Sequence, residues 1–429
     1  MGLMFLKHHK KIVVLIALLC LVACAAAPSP LPEGDWRARI QVQEKDGVTV
    51  SAAVPSAKES RELFRKELYS QGIQPVWLEI TNNRETIVSL LPVGLDPQYF
   101  TPLEVANSDL KQKGDQEPAA MVDLFFLTQG IGELRLMPGE TRSGFIFSKL
   151  DEGTKAFNVD FVSKQTSDRT AYITFTFFIQ VPGLNVDHYD VDWDNLYADD
   201  EWMDLEQDAL IDVIESFSCC VTDKKGTGSG DPLNLVIIGT PDEVYTAFIR
   251  AGWDETEKVT STSSLKTIAS FLSGGEYRYS PVSGLYVFER SQDVAFQRAR
   301  ENIHERNHLR LWMSRARYQG VPVWVGQISR DIGVRFTAKT ITTHKIDPNV
   351  DETREFLLEN LAYAQSLEKY GYVGGVGEVP IDQPKGNLTG DPWFTDGYRL
   401  VLWVTAEPRA IDDMLNLNWR NPLRDRGTD

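Results

Sequence analysis

The chain is poor in cysteine, has fewer basic than acidic residues, and shows no long apolar run beyond its first 24 residues. Its four cysteines in 429 residues are Cys20, Cys24, Cys219 and Cys220, which excludes a disulfide-rich scaffold. Lys and Arg number 44 against 61 Asp and Glu, a net charge of −17. We expect no nucleic-acid partner, because phosphate binding needs clustered basic side chains. No run of 18 apolar residues occurs, so no transmembrane helix is predicted.

What the chain does have is a basic and apolar leader. Lys7, Lys10 and Lys11 precede residues 12–21, which carry no polar side chain apart from the weakly polar thiol of Cys20. This segment is shorter than the roughly 20 residues that span a bilayer as a helix. Residues 1–24 are therefore predicted to be a secretory signal peptide.

The end of the leader, Leu21-Val22-Ala23-Cys24, resembles the lipobox of bacterial lipoproteins. The resemblance implies that the Cys24 thiol carries a diacylglyceryl group, that cleavage precedes Cys24, and that the new amino terminus is acylated, with palmitate as a typical chain. Several acyl chains give lasting membrane attachment. Because Ala25 stands where an inner-membrane retention signal has Asp, we expect the outer membrane of a Gram-negative host, facing the periplasm. The alternative is an ordinary signal peptide in which Cys24 is incidental.

The next two segments are a tether and a β-rich domain. Residues 25–34 carry three prolines among small residues and are predicted to be a semi-rigid tether. In residues 35–184 apolar side chains recur at every second position, most clearly at 171–179. Many short strands with turn signals predict an immunoglobulin-like β-sandwich. One helix is predicted, beginning after Ser56 with Glu59 in a capping box and ending at Gly72.

Residues 185–230 form an acidic connector. Twelve Asp and Glu and no Lys or Arg occur in 185–215, and helical spacing is found at 202–217. The connector ends at Cys219 and Cys220, followed by a glycine-rich stretch. In an oxidising envelope these cysteines are expected to bridge each other, to link to another protein or to stay reduced, with the intramolecular bridge favoured.

Residues 231–425 are predicted to be a mixed α+β domain. An apolar strand at 233–238 leads into a helix capped by Thr240, with Pro241 in its first turn, Glu243 in a capping box and Gly252 at its end. Further strands are predicted at 285–290, 308–314, 321–329 and 398–405, and a helix at 351–367. The whole chain is thus expected to be a multidomain α+β protein.

Several stretches of this domain resemble the LssY-like C-terminal domain of bacterial envelope proteins. They are 231–239 (DPLNLVIIG), 251–253 (AGW), 281–283 (PVS), 307–312 (NHLRLW) and 343–347 (THKID). The resemblance covers residues 231–425, and the connector with its cysteine pair also resembles segments found upstream of such domains. The family is associated by name with a secretion system and has no established activity. The resemblance therefore implies an envelope setting without a mechanism.

Two motifs resemble metal sites. His304, Glu305 and His308 match H-E-x-x-H, which on a helix binds zinc. The strand pattern from His308 to Ser314 favours an accidental match instead.

The second motif is in the acidic connector. Asp190, Asp192, Asp194 and Glu201 have the spacing of calcium-loop ligands. No helix is predicted to enter this loop, so a solvated acidic segment is favoured over calcium. No metal or other cofactor is predicted.

The strongest candidate for binding is a strand face. His308, Arg310 and Trp312 share one side of the predicted strand 308–314, and such a face suits an anionic group. The alternative is that the arginines pair with the chain's own acids.

No catalytic residue is predicted. We expect a non-catalytic binding or interaction module for an envelope protein or anionic ligand. The alternative is an envelope hydrolase, acting through zinc or on a phosphate- or lipid-containing substrate.

Overall fold

A computed structural model describes most of the chain. The described residues are 34–108, 119–164, 170–184, 186, 191–257, 279, 282, 284–299, 306–335, 343–417 and 419. The predicted signal peptide and Cys24 lie outside this set, as does the predicted tether except for Gly34.

Two antiparallel sheets make up the amino-terminal region. Their strands are β1 Gln41–Lys45, β2 Val48–Ala53, β3 Ile73–Asn82, β4 Val88–Leu91, β5 Arg135–Leu136, β6 Thr141–Lys149, β7 Thr154–Lys164 and β8 Thr170–Gln180. One sheet has the order β1-β2-β3-β6 and the other β5-β4-β7-β8. Val50 and Leu78 from the first sheet share one core with Phe161 and Phe175 from the second. The alternating apolar residues predicted from the sequence therefore come from two sheets that share one interior.

Four short helices accompany these sheets, and Phe64, Val105 and Phe126 from three of them pack with Phe145 and Phe147 on the outer face of the first sheet. The helices are α1 Ala57–Phe64, α2 Pro92–Leu95, α3 Pro102–Ala106 and α4 Ala119–Gln129. The predicted capping box of Ser56 and Glu59 is confirmed. The helix ends earlier than predicted, because Arg65 takes a left-handed conformation (φ 53°); Gly72 instead ends a short 3₁₀ turn. Helices α2 to α4 were not predicted.

The rest of the described chain combines many strands with three α-helices. Its elements are β9 Met203–Leu205, α5 Gln207–Ser216, β10 Cys220–Thr222, β11 Ser229–Pro232, β12 Leu235–Ile238, α6 Pro241–Arg250, β13 Asp254–Glu255, β14 Tyr286–Val287, β15 Arg290–Ser291, β16 Val294–Ala299, β17 Arg306–Tyr318, β18 Val321–Arg335, β19 Thr343–Ile346, α7 Val350–Tyr363, β20 Leu367–Val373, β21 Lys385–Gly386, β22 Pro392–Trp393, β23 Arg399–Val404 and β24 Leu415–Asn416. The mixed α+β class is confirmed. Among the helices that the structure describes, none is both long and apolar enough to cross a membrane.

The connector helix is shorter than predicted. Residues 203–205 form β9, which pairs in parallel with the end of β17 through Met203 and Ala316. Because the backbone of these residues serves a sheet, α5 begins only at Gln207. The cap of α6 is confirmed in full: the Thr240 side chain accepts from the Glu243 amide, and Gly252 is left-handed (φ 81°).

A large sheet organises the carboxy-terminal region. Its described strands follow the order β13-β16-β17-β18-β12-β23-β20-β24, with β19 added to β18 and β9 to β17. Helices α6 and α7 pack on one face, where Phe248 and Leu361 join Leu309 and Leu311 in the main core. Helix α5 and the small sheet β11-β10-β14-β15 lie on the opposite face.

A buried arginine holds this second layer in place. Arg399, fully buried on β23, donates Nη1 to the Ile214 carbonyl (2.8 Å), Nη2 to the Ser218 carbonyl (2.8 Å) and Nε to the Leu233 carbonyl (2.9 Å). Burial lowers the pKa of Arg399 to about 10. The carbonyls at the end of α5, which a helix leaves unsatisfied, are thus tied to the sheet.

Candidate functional site

The predicted ligand face lies on β17 as expected but is covered. His308, Arg310 and Trp312 share one side of the strand, and all three are buried. Trp312 packs with Val221 and Val287 from the small sheet, and its Nε1 donates to the Arg290 carbonyl (3.3 Å). The two-residue period was correctly interpreted, but it does not reveal that a second layer lies on the polar side.

Strand β18 supplies polar partners for this face. Ser329 pairs with His308 across the ladder, and Gln327 with Arg310. Arg310 Nη1 donates to Gln327 Oε1 (3.0 Å), and Gln327 Nε2 donates to Ser329 Oγ (2.9 Å). Ser329 Oγ lies 2.8 Å from His308 Nε2. Because the Ser329 oxygen keeps a second lone pair after accepting from Gln327, either Ser329 Oγ or His308 Nε2 can donate in this contact, depending on the histidine tautomer.

The network continues to a carboxylate. His308 Nδ1 lies 3.4 Å from Asp331 Oδ1, and Arg306 Nε donates to Asp331 Oδ2 at 3.1 Å. Arg306 also donates Nη1 to Gln297 Oε1. Burial raises the pKa of Asp331 to about 7, although Arg306 opposes the shift. We call the series Arg310, Gln327, Ser329, His308, Asp331, Arg306 and Gln297 the polar chain.

A second buried acid lies beside the polar chain. Asp231 accepts from Asn387 Nδ2 (2.9 Å), and burial raises its pKa while the charge of Arg310 opposes the rise. Both arginines of the polar chain therefore have carboxyl groups of the protein in their electrostatic environment. The Arg306–Asp331 contact agrees with the alternative interpretation, in which the arginines pair with the chain's own acids.

Ser329, His308 and Asp331 have the connectivity of a catalytic triad, in which the histidine takes the serine proton and the acid orients the imidazole. In hydrolases the serine oxygen must reach a substrate. Ser329 here is 0% exposed in the middle of a sheet. The observed arrangement gives partners to Ser329 Oγ, His308 Nε2 and Asp331 Oδ2, and such pairing is what a polar interior requires for stability.

An open pocket lies further along the same face of β17. Ser314 and Ala316 line it together with side chains of the connector and of the β14–β15 hairpin, and its volume is about 480 Å³. Its largest lining side chains are Tyr197, Phe217, Phe288, Arg290 and Arg315. We call it the aromatic–arginine pocket.

Two guanidinium groups flank one ring in this pocket. Those of Arg290 and Arg315 lie 5.3 and 5.4 Å from the centre of the Tyr197 ring. Arg290 makes two 2.8 Å bonds to Asp293 and donates to the Tyr197 hydroxyl at 2.7 Å. Arg315 is 57% exposed and pairs with Glu201 at 2.9 Å. The guanidinium of Arg290 is therefore held by contacts within the protein, whereas that of Arg315 is exposed and available to an incoming group.

The rim of the pocket is formed by an unusual turn. Phe288 and Glu289, between β14 and β15, both have positive φ (52° and 61°). Two-residue hairpin loops of this kind favour Gly, Asn or Asp, and a strained non-glycine residue costs about 1–3 kcal/mol. The exposed Phe288 ring lies 5.9 Å from the Phe217 ring and 5.6 Å from the Arg290 guanidinium. The strained backbone of this turn thus places the exposed Phe288 ring over the pocket.

The described part of the calcium motif has other partners. Asp190 lies outside the described residues. Asp192 accepts from Asn195 Nδ2 (2.9 Å), and Asp194 is exposed. Glu201 Oε2 accepts from the Ala198 amide at 3.0 Å, while its Oε1 meets Arg315. Among the described residues, no three His, Cys, Asp or Glu side chains gather as metal ligands.

Of the zinc motif, His304 and Glu305 lie outside the described residues. His308 lies on a strand, and its Nε2 contacts Ser329 rather than a free space. The cysteines Cys219 and Cys220 form a disulfide with each other, in a small cluster with Ile346, Val350 and Trp393.

Comparison with known families identifies the carboxy-terminal region. Residues 211–398 match the family model described as the LssY C-terminus, so the chain carries an LssY-like C-terminal domain. The match begins at α5, earlier than the predicted boundary at 231. It includes the whole polar chain and the pocket residues Phe217, Phe288, Arg290 and Arg315, but not Tyr197. No curated protein and no solved structure matches the chain significantly.

Several site residues were missed in the sequence. Gln327, Ser329 and Asp331 follow the same two-residue spacing as His308 and Arg310, which was an available signal for a polar strand face. The pocket gave no such signal. Its residues come from three segments, 197–217, 288–290 and 314–316, with about 70 and 25 positions between successive segments, and only the fold brings them together.

Proposed function

We propose that the chain is a lipid-anchored lipoprotein of the bacterial envelope whose carboxy-terminal domain binds, without catalysis, an anionic group attached to an apolar or aromatic body. The observation that carries the proposal is the aromatic–arginine pocket. It presents the exposed Arg315 guanidinium beside the rings of Tyr197 and Phe288. Its occupant is a small ligand or a side chain of an envelope partner.

The chemistry of the pocket supports an anionic ligand. Guanidinium groups bind carboxylate and phosphate through paired hydrogen bonds. The ion pair of Arg315 with Glu201 is solvent-exposed, and exposed pairs contribute only about 0–1 kcal/mol. A ligand anion therefore displaces only this exposed pair at Arg315, and the aromatic walls add apolar contact. Glu289 also lines the pocket, so the anion is expected to bind on the Arg315 side.

The alternative is a hydrolase acting on a phosphate- or lipid-containing substrate, favoured by the contacts of Ser329, His308 and Asp331. It requires a state in which Ser329 reaches solvent. Complete burial of that side chain makes binding the better-supported function.

For the amino-terminal region we propose an immunoglobulin-like interaction module. Its support is two four-stranded antiparallel sheets around a common core. The strand orders β1-β2-β3-β6 and β5-β4-β7-β8 differ from the ABED and CFG sheets of immunoglobulin domains. The region therefore resembles an immunoglobulin domain in having two packed sheets, but not in the order in which its strands are connected.

Anchoring rests on Cys24. Cys24→Ser removes the thiol that receives the lipid, so the chain is expected to leave the membrane fraction or to persist as an uncleaved precursor. Fractionation and the mass of the mature amino terminus measure this. A mutant that fractionates and matures like the wild type contradicts the lipoprotein assignment, and recovery in inner membranes contradicts the outer-membrane expectation.

Ligand binding is tested with phenyl phosphate, an aromatic anion, titrated into the full chain by calorimetry. Arg315→Gln removes a charged donor, and such hydrogen bonds contribute about 1.5–3 kcal/mol, so we expect roughly tenfold weaker binding or more. Phenol, which lacks the phosphate, should bind both proteins alike.

Arg61→Gln is the matched control. Arg61 is 56% exposed and also pairs with a glutamate, Glu67, at 3.2 Å, but it lies outside the pocket. Equal weakening by both substitutions, or no saturable binding to the wild type, contradicts the proposed site.

A further inference from the structure

Helix α4 is apolar on nearly all sides, yet one side of it faces solvent. Asp123 is the only charged residue among its eleven. Phe126 is buried and stacks on Phe64, with 5.7 Å between ring centres. Four other apolar side chains of α4 are exposed: Met121 (65%), Leu124 (61%), Phe125 (38%) and Leu127 (48%).

The neighbouring helix α3 also has an exposed apolar side chain. Leu103, in α3, is also exposed, and Asn107 Nδ2 at the end of α3 donates to Asp123 Oδ1 (3.1 Å). We call Leu103 with the four exposed residues of α4 the apolar surface. A helix that is hydrophobic all round is normally buried in a core or in a membrane, and contiguous exposed apolar patches mark interaction sites. The apolar surface therefore needs an occupant.

The start of the folded chain lies at the same end of the molecule. Trp36 is 5.9 Å from Phe145, and Phe145 is 5.1 Å from Phe64, which stacks on Phe126 of α4. Trp36 lies twelve positions after Cys24 in the sequence. At no more than about 3.6 Å per residue, a lipid on Cys24 keeps this end within roughly 40 Å of the bilayer.

Basic side chains border the apolar surface. Arg61 and Arg65 are exposed in and just after α1, on either side of Phe64, whose ring lies 6.4 Å from that of Phe125. The Lys66 ammonium lies 5.6 Å from the Phe126 ring. Acidic side chains lie in the same segments, with Glu67 paired to Arg61 at 3.2 Å and Glu104 exposed in α3, so the border carries both signs. Arg65 and Lys66 are the side chains placed to meet anionic lipid headgroups, which attract Lys and Arg near the surface.

We propose that the apolar surface lies against the bilayer beside the lipid anchor. Met121, Leu124 and Phe125 enter the boundary between headgroups and acyl chains, as the apolar face of an interfacial helix does. The inference rests on the lipid anchor of the proposed function. It adds a second membrane contact, one that fixes which end of the protein faces the membrane.

The test uses the full, anchored chain in vesicles of phosphatidylethanolamine and phosphatidylglycerol. Leu124→Cys is labelled with the environment-sensitive dye NBD, and the chain without the added cysteine gives the background. The matched control is Ile381→Cys, at a 72% exposed apolar position of the carboxy-terminal region. We expect a blue shift of the NBD emission at position 124, with quenching by nitroxide lipids, and neither effect at position 381.

The outcomes separate the surface from the anchor. Identical emission at both positions in anchored chains overturns the proposal. If mass spectrometry finds no lipid on Cys24 but the position-124 dye still responds to added vesicles, the surface stands and the anchor fails. In the unlipidated chain, Leu124→Glu should weaken vesicle binding by about tenfold or more. A concentration-dependent dimer without lipid that Leu124→Glu abolishes shows a second copy as the occupant, and also overturns the proposal.

Discussion

The two faces of β17 are both buried but are stabilised in opposite ways. Leu309 and Leu311 face α6 and α7 in the main apolar core. His308 and Arg310 face the second layer and are joined to β18 by the polar chain. The apolar face needs only close packing, whereas the polar face is tolerable only because its groups have partners. Burial alone therefore does not show whether a strand face contributes stability or specificity.

The difference has consequences for the response to substitution and to pH. A packed apolar face loses stability in proportion to the volume removed and is indifferent to pH. A buried polar face depends on each partner and on protonation. The following substitutions test that division.

The largest effect is expected for Asp331→Ala at pH 5, below the folded-state pKa of Asp331, where the contribution of this side chain to stability is still present. The change removes the carboxyl oxygen that Arg306 Nε contacts at 3.1 Å. It leaves the buried Arg306 guanidinium without that partner, and an uncompensated buried charge costs about 3–5 kcal/mol. Urea unfolding followed by tryptophan fluorescence measures the loss in the free energy of unfolding. Asp331→Asn, which keeps an oxygen acceptor, should lose less; equal or negligible losses argue against the contact with Arg306.

The same residue predicts a pH dependence. The pKa of Asp331 is raised to about 7 in the fold, above about 3.9 in an unfolded chain, so the folded state holds this proton more tightly. The contribution of Asp331 to stability is therefore complete below about pH 4 and declines as the pH rises toward 7. Asp331→Asn should lack this decline. Unfolding curves of both proteins between pH 4 and 8 that differ by a constant contradict the prediction.

A smaller, pH-independent effect is expected for Leu311→Ala on the apolar face. Leu311 is fully buried, and its side chain packs onto Gly326 of β18. Such truncations leave a cavity and cost about 3 kcal/mol. The control is Leu415→Ala, at an exposed position, which should change the free energy of unfolding by less than about 0.5 kcal/mol. A loss for Leu311→Ala that varies with pH contradicts the division between the faces.

Local signals in the sequence predicted individual elements well. The cap residues Thr240 and Glu243 located α6, because capping depends on only a few neighbouring groups. The alternation from His308 to Ser314 located part of β17. Helix α4 was missed since its sequence is apolar on nearly all sides and therefore lacks a clear helical period. The β14–β15 turn was missed because Phe288 and Glu289 replace the usual glycine or asparagine.

The site was harder to predict than the elements. Alternation assigned His308 and Arg310 to one face, but whether that face is open depends on α5, which Arg399 ties to the sheet from about 185 residues away. The pairing of His308 with Ser329 is set by the β17–β18 register, and no local pattern specifies that register. Long-range packing thus decided which side chains are accessible.

The smallest effect is expected for Ser329→Ala, compared with Ser314→Ala on the same polar side of the sheet. Each change removes one buried hydroxyl: Ser329 Oγ joins Gln327 to His308, and Ser314 Oγ donates to the Val323 carbonyl (2.7 Å). We expect about 1–3 kcal/mol of lost stability from each, the cost of a buried polar group left unpaired. Only Ser314 lines the pocket, so only Ser314→Ala should change the affinity for phenyl phosphate. A Ser329→Ala protein with native stability but weakened binding would show that the polar chain contacts ligand, which would favour the hydrolase alternative over a binding pocket at the end of β17.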